Sequence, residues 1–462
     1  MNHRISIAAL VVLLAAYWAK ASPAQTLSLT EAFTLAMHND PTLQAAVQEK
    51  LAGEEERAIG RAGLLPQVSA SYQNAPRNRQ NQKYQGRDIF GQPTGEQSVN
   101  TQYRSNSLSA TVTQPLFDYE AWARYQGGVA RALLADERYR SKLQEMATRL
   151  VEAYIDVAYQ REAIALTQAQ VTTYSEQLAL NQRLSRLGEG TATDVAETEA
   201  RYGLAQAQRI EAQDALDVAL GALANLIGVP AANIGAIEGR PGAFSPLTLR
   251  FTTLEAWRQQ AKGNNPELRT AQQGIDVAHY EVERNRAGYL PRVALYASHS
   301  ENDSNSDNTV GQKYRTDSIG IQVSVPLYAG GGVSASTSQA AARYVQAKYE
   351  MAAQSDNILN ELQRQYNLCR SGEAKLKAYE LAIQAADKQV VATRRSVQAG
   401  MRVNVDVLNA EQQRYTTQKE YAQAKYDYLK AWVALQGLAG TLNEKDIGQV
   451  ARYFSQPSSD TP

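Results

Sequence analysis

Few residues in this sequence have the type and spacing that catalysis or metal binding needs. The histidines His3, His38, His279 and His299 are isolated from one another and stand at no metal-ligand spacing. The glycine run at 330–332 lacks the Lys-Ser/Thr pair of a phosphate-binding loop, and the sequence contains no nucleophile elbow. We therefore expect no enzyme and no cofactor or metal site.

The start of the chain and its only cysteine, Cys369, indicate an exported protein without disulfides. Residues 1–24 predict a signal peptide, because a short cationic start precedes an apolar run too short for a good membrane-spanning helix. Cleavage is expected after Ala21 or Ala24. A single cysteine cannot form an intrachain disulfide. No cysteine lies near the cleavage sites, so the acylation site of a bacterial lipoprotein is lacking.

Charge and hydropathy exclude two further classes of protein. Lys+Arg and Asp+Glu are equal, at 47 each, so no basic excess predicts binding to nucleic acid. Beyond the signal peptide, no apolar stretch reaches the ~20 residues that a spanning helix needs. The mature chain is therefore expected to be exported without a helical anchor.

The elements that must position any functional residue are repeated in the two halves of the chain. Arg61–Pro66 (RAGLLP) returns as Arg286–Pro291 (RAGYLP), and Gln114–Phe117 (QPLF) pairs with Val325–Tyr328 (VPLY). Each copy predicts a first helix, two short strands and a long helical hairpin. The division expected from this repeat is a signal peptide (1–24), a first repeat (25–227), an equatorial connection (228–263), a second repeat (264–438) and a C-terminal equatorial tail (439–462).

Alternating hydrophobicity predicts four short strands, at 66–74, 106–117, 291–299 and 317–328. Period two over about ten residues is typical of membrane strands, with one face toward lipid and one toward a wet lumen. The polar stretches 74–104 and 300–317 are interpreted as loops on the outer side of a barrel. A barrel cannot close on four strands, and lipid forbids an open edge. Three chains would give twelve strands, enough for a lumen.

The segments after the strands predict helices of unusual length, in hairpins at 119–227 and 332–438. Residues 119–186 contain no proline, and such a helix would be about 100 Å long. A sustained period of seven predicts a left-handed coiled-coil seam, which makes Cys369 a buried small hydrophobe. The seam columns are Leu143, Leu150, Val157, Ile164, Val171 and Leu178 in the first copy, and Leu362, Cys369, Leu376, Ile383, Val390 and Val397 in the second.

With these elements the chain resembles the TolC family of outer-membrane channel proteins over nearly all of its mature length. The resemblance is carried by the Leu-Pro before each first strand, by the Gly-turn-Asp-Val at each hairpin tip, and most specifically by Leu438–Asp446 (LAGTLNEKD). It implies a mixed, mostly α fold: a trimeric 12-stranded outer-membrane β-barrel continued by a periplasmic α-helical barrel.

The resemblance also implies partners and a cell compartment. A homotrimer in outer-membrane lipid would dock on a periplasmic adaptor (a membrane fusion protein) and, through it, on an inner-membrane ABC or RND pump. The chain would be a passive gated exit. The missing acylation cysteine resembles the unacylated branch, which serves type I protein secretion and multidrug efflux, so the cargo stays open.

Within that family the functional residues lie at the hairpin tips. The resemblance places adaptor docking at Gly188 and Gly400, and an Asp194–Arg402 ion pair at the narrow end. Asp406 would form an acidic ring. Val397 and Asn409 depart from the family's gate tyrosine and second carboxylate. The implied periplasmic gate positions are Thr193, Asp194, Val397, Arg402, Asp406 and Asn409.

One alternative of a different class is a non-conducting coiled-coil spacer or adhesin that spans the periplasm. Its strands would be expected to be polar throughout. The alternation of Ile319, Ile321 and Val323 with small or polar residues argues against it.

Overall fold

The computed structural model describes residues 26–234, 237, 245–305 and 311–455. The predicted signal peptide and residues 456–462 of the predicted tail lie outside the described residues. Along the described chain, helices alternate with pairs of strands that belong to one antiparallel sheet. The elements, in order, are α1 (Leu29–Asn39), α2 (Pro41–Ala62), β1 (Gln67–Arg87), β2 (Pro93–Phe117), α3 (Tyr119–Leu187), α4 (Ala192–Ile227), α5 (Leu254–Asn264), α6 (Pro266–Arg286), β3 (Arg292–Ser304), β4 (Gln312–Ser324), α7 (Gly332–Gln398), α8 (Asn404–Leu438) and α9 (Glu444–Ser455).

The chain forms two compact units. The helical unit comprises the described parts of residues 1–48, 138–269 and 353–462, and the sheet unit comprises residues 49–137 and the described parts of 270–352. Among the described helices, none is both long and apolar enough to cross a lipid bilayer. The division into two sequential repeats with an equatorial connection stays a prediction.

The sheet unit contains four antiparallel strands in the order β1-β2-β3-β4. The register places the alternating apolar residues on one face, which we call the outward face. On β4 this face is Ile319, Ile321 and Val323, which are 78%, 64% and 60% exposed. The opposite face carries hydroxyl groups, and Ser71 Oγ lies 2.8 Å from Ser109 Oγ across β1 and β2. One apolar and one hydroxyl-rich face fit lipid on one side and water on the other.

The loop prediction for residues 74–104 is wrong. β1 and β2 continue through that region and pair as far as Arg87 and Pro93. Residues 300–317 also contain strand, because β3 runs to Ser304 and β4 begins at Gln312, whereas β4 ends at Ser324, short of the predicted 328. Gln-, Asn- and Ser-rich strands show no hydrophobic alternation, yet their backbone ladder forms all the same, so the pattern could not detect them.

The extra pairing produces a two-stranded ribbon that rises beyond the rest of the sheet. β2 pairs with β3 only between Ser105 and Phe117, so the ribbon consists of residues 76–104. It begins at a β-bulge, where Ala75 pairs with Ser105 and the next pair is Asn78 with Tyr103. One extra residue on β1 shifts which side chains of β1 share the outward face.

The helical unit buries part of both predicted heptad columns, and the other members of each column are half-buried. In α3, Leu150 and Val157 are fully buried, and in α7 Leu362 and Leu376 are buried to the same degree. Cys369 lies in the α7 column at 4% exposure, and burial raises the pKa of its thiol to about 12. A buried, protonated cysteine behaves as a small hydrophobe, as the repeat pattern predicts.

In the core of the helical unit, the parts of the hairpins far from the tips pack against the short helices α1, α5 and α9. Trp257 of α5, Trp432 of α8 and Phe454 of α9 are among its fully buried side chains. An asparagine closes the end of each return helix: Asn39 Nδ2 donates to the Ile227 carbonyl (2.8 Å) and Asn265 Nδ2 donates to the Leu438 carbonyl (2.9 Å). These bonds satisfy carbonyls that a helix end leaves without partners.

Candidate functional site

The two hairpin tips lie in the helical unit, and each turns on a glycine. Gly188 has φ +77° and Gly400 has φ +73°, the left-handed region that favours glycine. The residue after each glycine donates its backbone N–H back into the last helical turn, at 2.9 Å in both tips: Glu189 to Leu184 and Met401 to Ser396. Among the described residues, nothing lies within 4 Å of where a Cβ of either glycine would stand. The turn therefore needs glycine for its backbone, and the space beside it is open.

A carboxylate begins each return helix. Asp194 Oδ2 accepts from the Thr191 hydroxyl (2.6 Å) and from the Thr191 N–H (3.2 Å), while Thr191 Oγ1 accepts from the Asp194 N–H (3.0 Å). This is a reciprocal capping box. In the other hairpin Asp406 Oδ2 accepts from the Val403 N–H at 3.4 Å, without a return bond because Val403 has no polar side chain. Both predicted gate carboxylates therefore also cap a helix.

The structure does not bring Asp194 and Arg402 together. In the described part of the chain Arg402 makes no ion pair within 4 Å, and it is exposed just past the turn. Asn409 Oδ1 accepts from Arg201 Nη2 of α4 at 2.9 Å. Val397 is half-buried at the end of its seam, and Thr193 is exposed in the first turn of α4. An Asp194–Arg402 pair would therefore have to form between two chains.

A buried polar network lies next to the tips, within the adjoining turns of the helices. The sequence patterns did not predict it. Thr198 of α4 accepts from Asn181 Nδ2 of α3 (2.8 Å) and from Asn404 Nδ2 of α8 (3.2 Å). Gln177 Nε2 donates to the Oδ1 atoms of Asn404 (3.0 Å) and Asn181 (3.3 Å). The bonds connect three helices. The available signal was an asparagine at position 181, three residues after Leu178, where a heptad seam expects an apolar side chain.

A second cluster missed by the sequence reasoning fixes α7 against α8. Glu411 is 1% exposed and accepts from Arg394 of α7 through Oε1, and its Oε2 lies 2.9 Å from Arg414 Nη2. A carboxylate so deeply buried needs paired charges to offset desolvation. Its repeat partner Glu199 is exposed. The two hairpins, alike in sequence, therefore differ in how their helices are joined near the tips.

Further polar contacts join α3 to α8 in the same unit, farther from the tips. Glu162 of α3 accepts from Lys425 Nζ (2.9 Å) and from the Tyr426 hydroxyl (2.8 Å) of α8. Nearer the tips, Thr173 Oγ1 lies 2.7 Å from the Tyr415 hydroxyl. Hydrogen bonds are directional, so these contacts fix the relative register of α3 and α8 as well as their spacing.

Comparison with known proteins gives matches along nearly the whole chain. The family described as "Outer membrane efflux protein" matches residues 33–229 and 257–441. The chain is 44% identical over 437 residues to the alkaline protease secretion protein AprF of Pseudomonas aeruginosa, covering 94% of this chain and 89% of AprF. It is 43% identical over 434 residues to the proteases secretion protein PrtF of Dickeya chrysanthemi, covering 93% and 92%.

A solved structure shares the fold at lower identity. The outer membrane protein VceC of Vibrio cholerae superposes with a TM-score of 0.73, at 17% identity, over 89% of this chain and 96% of VceC. The paired helical hairpins and the four-stranded sheet are thus a known architecture.

Proposed function

The chain belongs to the outer membrane efflux protein family, the family of TolC-like channels, and from that premise we propose that it is the exit duct of a type I system that secretes proteases. It is an outer-membrane protein, and its family and relatives assign it an exit route for secretion or efflux. That role is transport and requires no catalytic group.

The observation that carries the protease assignment is the identity of more than 40% with two proteins named for protease secretion, along nearly the full length of both. A match confined to one unit would leave open whether the tips or the barrel had changed their role. Here the matched region includes both units and both tips. We therefore infer the same kinds of partner and the same class of cargo as for these two relatives.

The working unit is a trimer of this chain. Four strands per chain cannot close a barrel, and an unpaired edge is costly in lipid. Twelve strands from three chains leave a lumen whose wall would be the hydroxyl-rich face with Ser71 and Ser109. The long hairpins would likewise complete a helical tube in the periplasm.

The hairpin tips would be both the docking surface and the gate. The exposed turns at Gly188 and Gly400 are placed to meet a periplasmic adaptor, which in turn contacts an inner-membrane pump. Asp194, Arg402 and Asp406 would close the narrow end, with Arg402 of one chain reaching Asp194 of its neighbour. Energy would come from the pump, and the duct would open passively.

Gene deletion with complementation tests the cargo. Deleting the gene should remove extracellular protease activity and leave susceptibility to dyes and detergents unchanged, and a plasmid copy should restore secretion. Multidrug efflux is the second candidate, because the matched family is described by efflux. Retained protease secretion together with raised drug susceptibility would transfer the assignment to efflux.

A further inference from the structure

A cluster of arginines surrounds the bulge where the ribbon leaves the sheet. Pro76 and Arg77 of β1 lie in the bulge, opposite Arg104 of β2, because the flanking pairs are Ala75–Ser105 and Asn78–Tyr103. Arg79 follows two residues beyond the bulge residue Arg77. Arg77, Arg79 and Arg104 are all exposed. The chain as a whole has no net charge, so three arginines at one point of one hairpin are a local excess.

The register places two of these arginines on the outward face. Arg104 lies on the same face of β2 as Leu108, Ala110 and Val112, because side chains two residues apart along a strand share a face. Arg79 pairs with Gln102, which shares that face with Arg104. The extra residue in the bulge is what turns Arg79 outward. The basic residues therefore share the face of the apolar band and stand beyond its end on β1 and β2, with the Asn74–Asn106 pair between.

No carboxylate neutralises this cluster within the described residues. Neither Arg79 nor Arg104 forms an ion pair within 4 Å there, whereas Lys83, further along the ribbon, pairs with Glu96 at 3.0 Å. On β3 the outward face carries Glu301, which is paired with Arg315 at 2.6 Å, and Asp303, which lies opposite Asn106 and forms no ion pair within 4 Å among the described residues. At most one nearby carboxylate therefore faces three arginines. Like charges opposite one another destabilise a strand pair, so the arrangement favours an anion from outside the chain.

We propose that Arg77, Arg79 and Arg104 form a binding surface for the phosphorylated headgroups of outer-leaflet glycolipid. The inference rests on the membrane placement in the proposed function, because the outward face must be the lipid face. A guanidinium group binds phosphate through two parallel hydrogen bonds. Arg104 lies four residues beyond Leu108, about 13 Å along the strand, and less along the membrane normal because barrel strands tilt. Arg104 is the first charged residue on the outward face of β2 beyond the apolar band, so we place it where headgroups meet the hydrocarbon region. The bulge thus sets the arginines at the membrane boundary and the ribbon above it.

The test measures lipid binding by the full chain purified in mild detergent, with native mass spectrometry and titration as readouts. The probes are diphosphorylated lipid A, the same lipid after removal of its phosphates, and inorganic phosphate. We expect the wild type to retain diphosphorylated lipid A, to bind the dephosphorylated lipid far more weakly, and not to be displaced by millimolar phosphate. The variant Arg77→Gln/Arg79→Gln/Arg104→Gln should lose about 100-fold in affinity, at about five-fold per arginine.

The matched control removes three exposed basic residues from helices: Arg57→Gln/Arg61→Gln/Lys262→Gln. It should bind lipid A as the wild type does. Equal binding by the arginine variant, or equal binding of the dephosphorylated lipid by the wild type, overturns the proposal.

A second set of readouts separates this surface from the proposed function and from misfolding. The arginine variant should keep the oligomeric state and the single-channel conductance of the wild type, since Arg79 and Arg104 lie on the outward face, opposite the lumen face. A variant with lysine at the same three positions keeps the charge and loses the paired hydrogen bonds, so we expect intermediate affinity. A wild type that binds lipid A but never conducts would contradict the duct and leave the lipid surface standing.

Discussion

Asp194 and Asp406 each cap a return helix, and both are also expected to act in the gate. The two roles can be separated because a cap needs an acceptor oxygen, whereas a gate needs charge. An asparagine at either position keeps an oxygen that can accept from the backbone N–H. Changes to Asn therefore test charge, and changes to Ala test charge and cap together.

Arg402→Ser is the most direct test of the charge lock. An exposed ion pair contributes about 0–1 kcal/mol, so three copies in a trimer shift the closed-to-open equilibrium by at most about 150-fold. We expect a higher single-channel conductance or more vancomycin entry, with no loss of barrel thermal stability. Arg395→Ser, one turn before the same tip, is the control. An unchanged conductance would mean that seam packing alone holds the tips closed.

Asp406→Asn should lower cation selectivity and weaken block by multivalent cations. Three copies of Asp406 at the narrow end would form an acidic ring, and the Asn side chain keeps the accepting oxygen of the cap. Recording at low salt is the suitable measurement, because screening is weakest there. The Glu199→Asn variant, whose carboxylate is exposed on α4, should leave selectivity as it is. If both variants behave alike, Asp406 does not line the constriction.

Cys369 should be unreactive in the folded protein. Only the thiolate reacts, and burial raises the pKa of this thiol to about 12, so at pH 8 almost none is ionised. Maleimide labelling should be negligible at pH 7–8 and complete after unfolding, and Cys369→Ser should not label in either state. Rapid labelling of the native protein would show that the α7 seam opens near this residue.

At the scale of elements, the turns at the tips are constrained by their backbone. Gly188→Val/Gly400→Val places branched side chains at φ +77° and +73°, which costs more than about 1 kcal/mol per site. We expect lost secretion with normal trimer yield and outer-membrane insertion. Gly203→Val, in the α4 helix with open space beside it, is the control. Secretion that persists in the double variant would exclude the turns as the docking surface.

The buried Glu411 should make α7–α8 the more firmly joined hairpin near the tips. Glu411→Gln leaves Arg394 and Arg414 without their carboxylate, and the cost should be about 1–2 kcal/mol, reduced because Arg394 is half-exposed. Hydrogen exchange in the last turns of α7 should accelerate. Glu199→Gln is the repeat-matched control and should change nothing. Equal exchange in the two variants would remove any special role for Glu411.

Sequence pattern predicted the helical elements well and the polar elements poorly. The seams through Leu150 and Leu362 could be found because an apolar side chain every seven residues is detectable in sequence alone. The ribbon at 76–104 could not be found in this way, because its strands have no apolar face and contain few β-branched residues. The Thr198 network and the Glu411 cluster depend on which helices become neighbours, and that information is not local. The family resemblance supplied the tip positions, and only the structure showed that Asp194 and Arg402 do not meet within one chain.

At the scale of the molecule, three chains should assemble. The helical unit leaves apolar side chains exposed in a single chain, and burying such residues drives association. We expect a detergent-stable trimer, with a mass three times that of the mature chain. A stable monomer in mild detergent would contradict the twelve-stranded barrel. The exposed residues expected at the interface are Leu204, Ile210 and Val218 of α4, and Leu368, Leu381 and Val391 of α7.

We expect the assembled protein to be a water-filled duct through the outer membrane. Single-channel recording of the purified protein in a planar lipid bilayer tests it most directly, because it separates a duct from a coiled-coil spacer of the same length. We expect discrete, cation-selective conductance steps that grow when Arg402 is replaced by Ser. Protein that inserts into the bilayer as a folded trimer and passes no ions would contradict it.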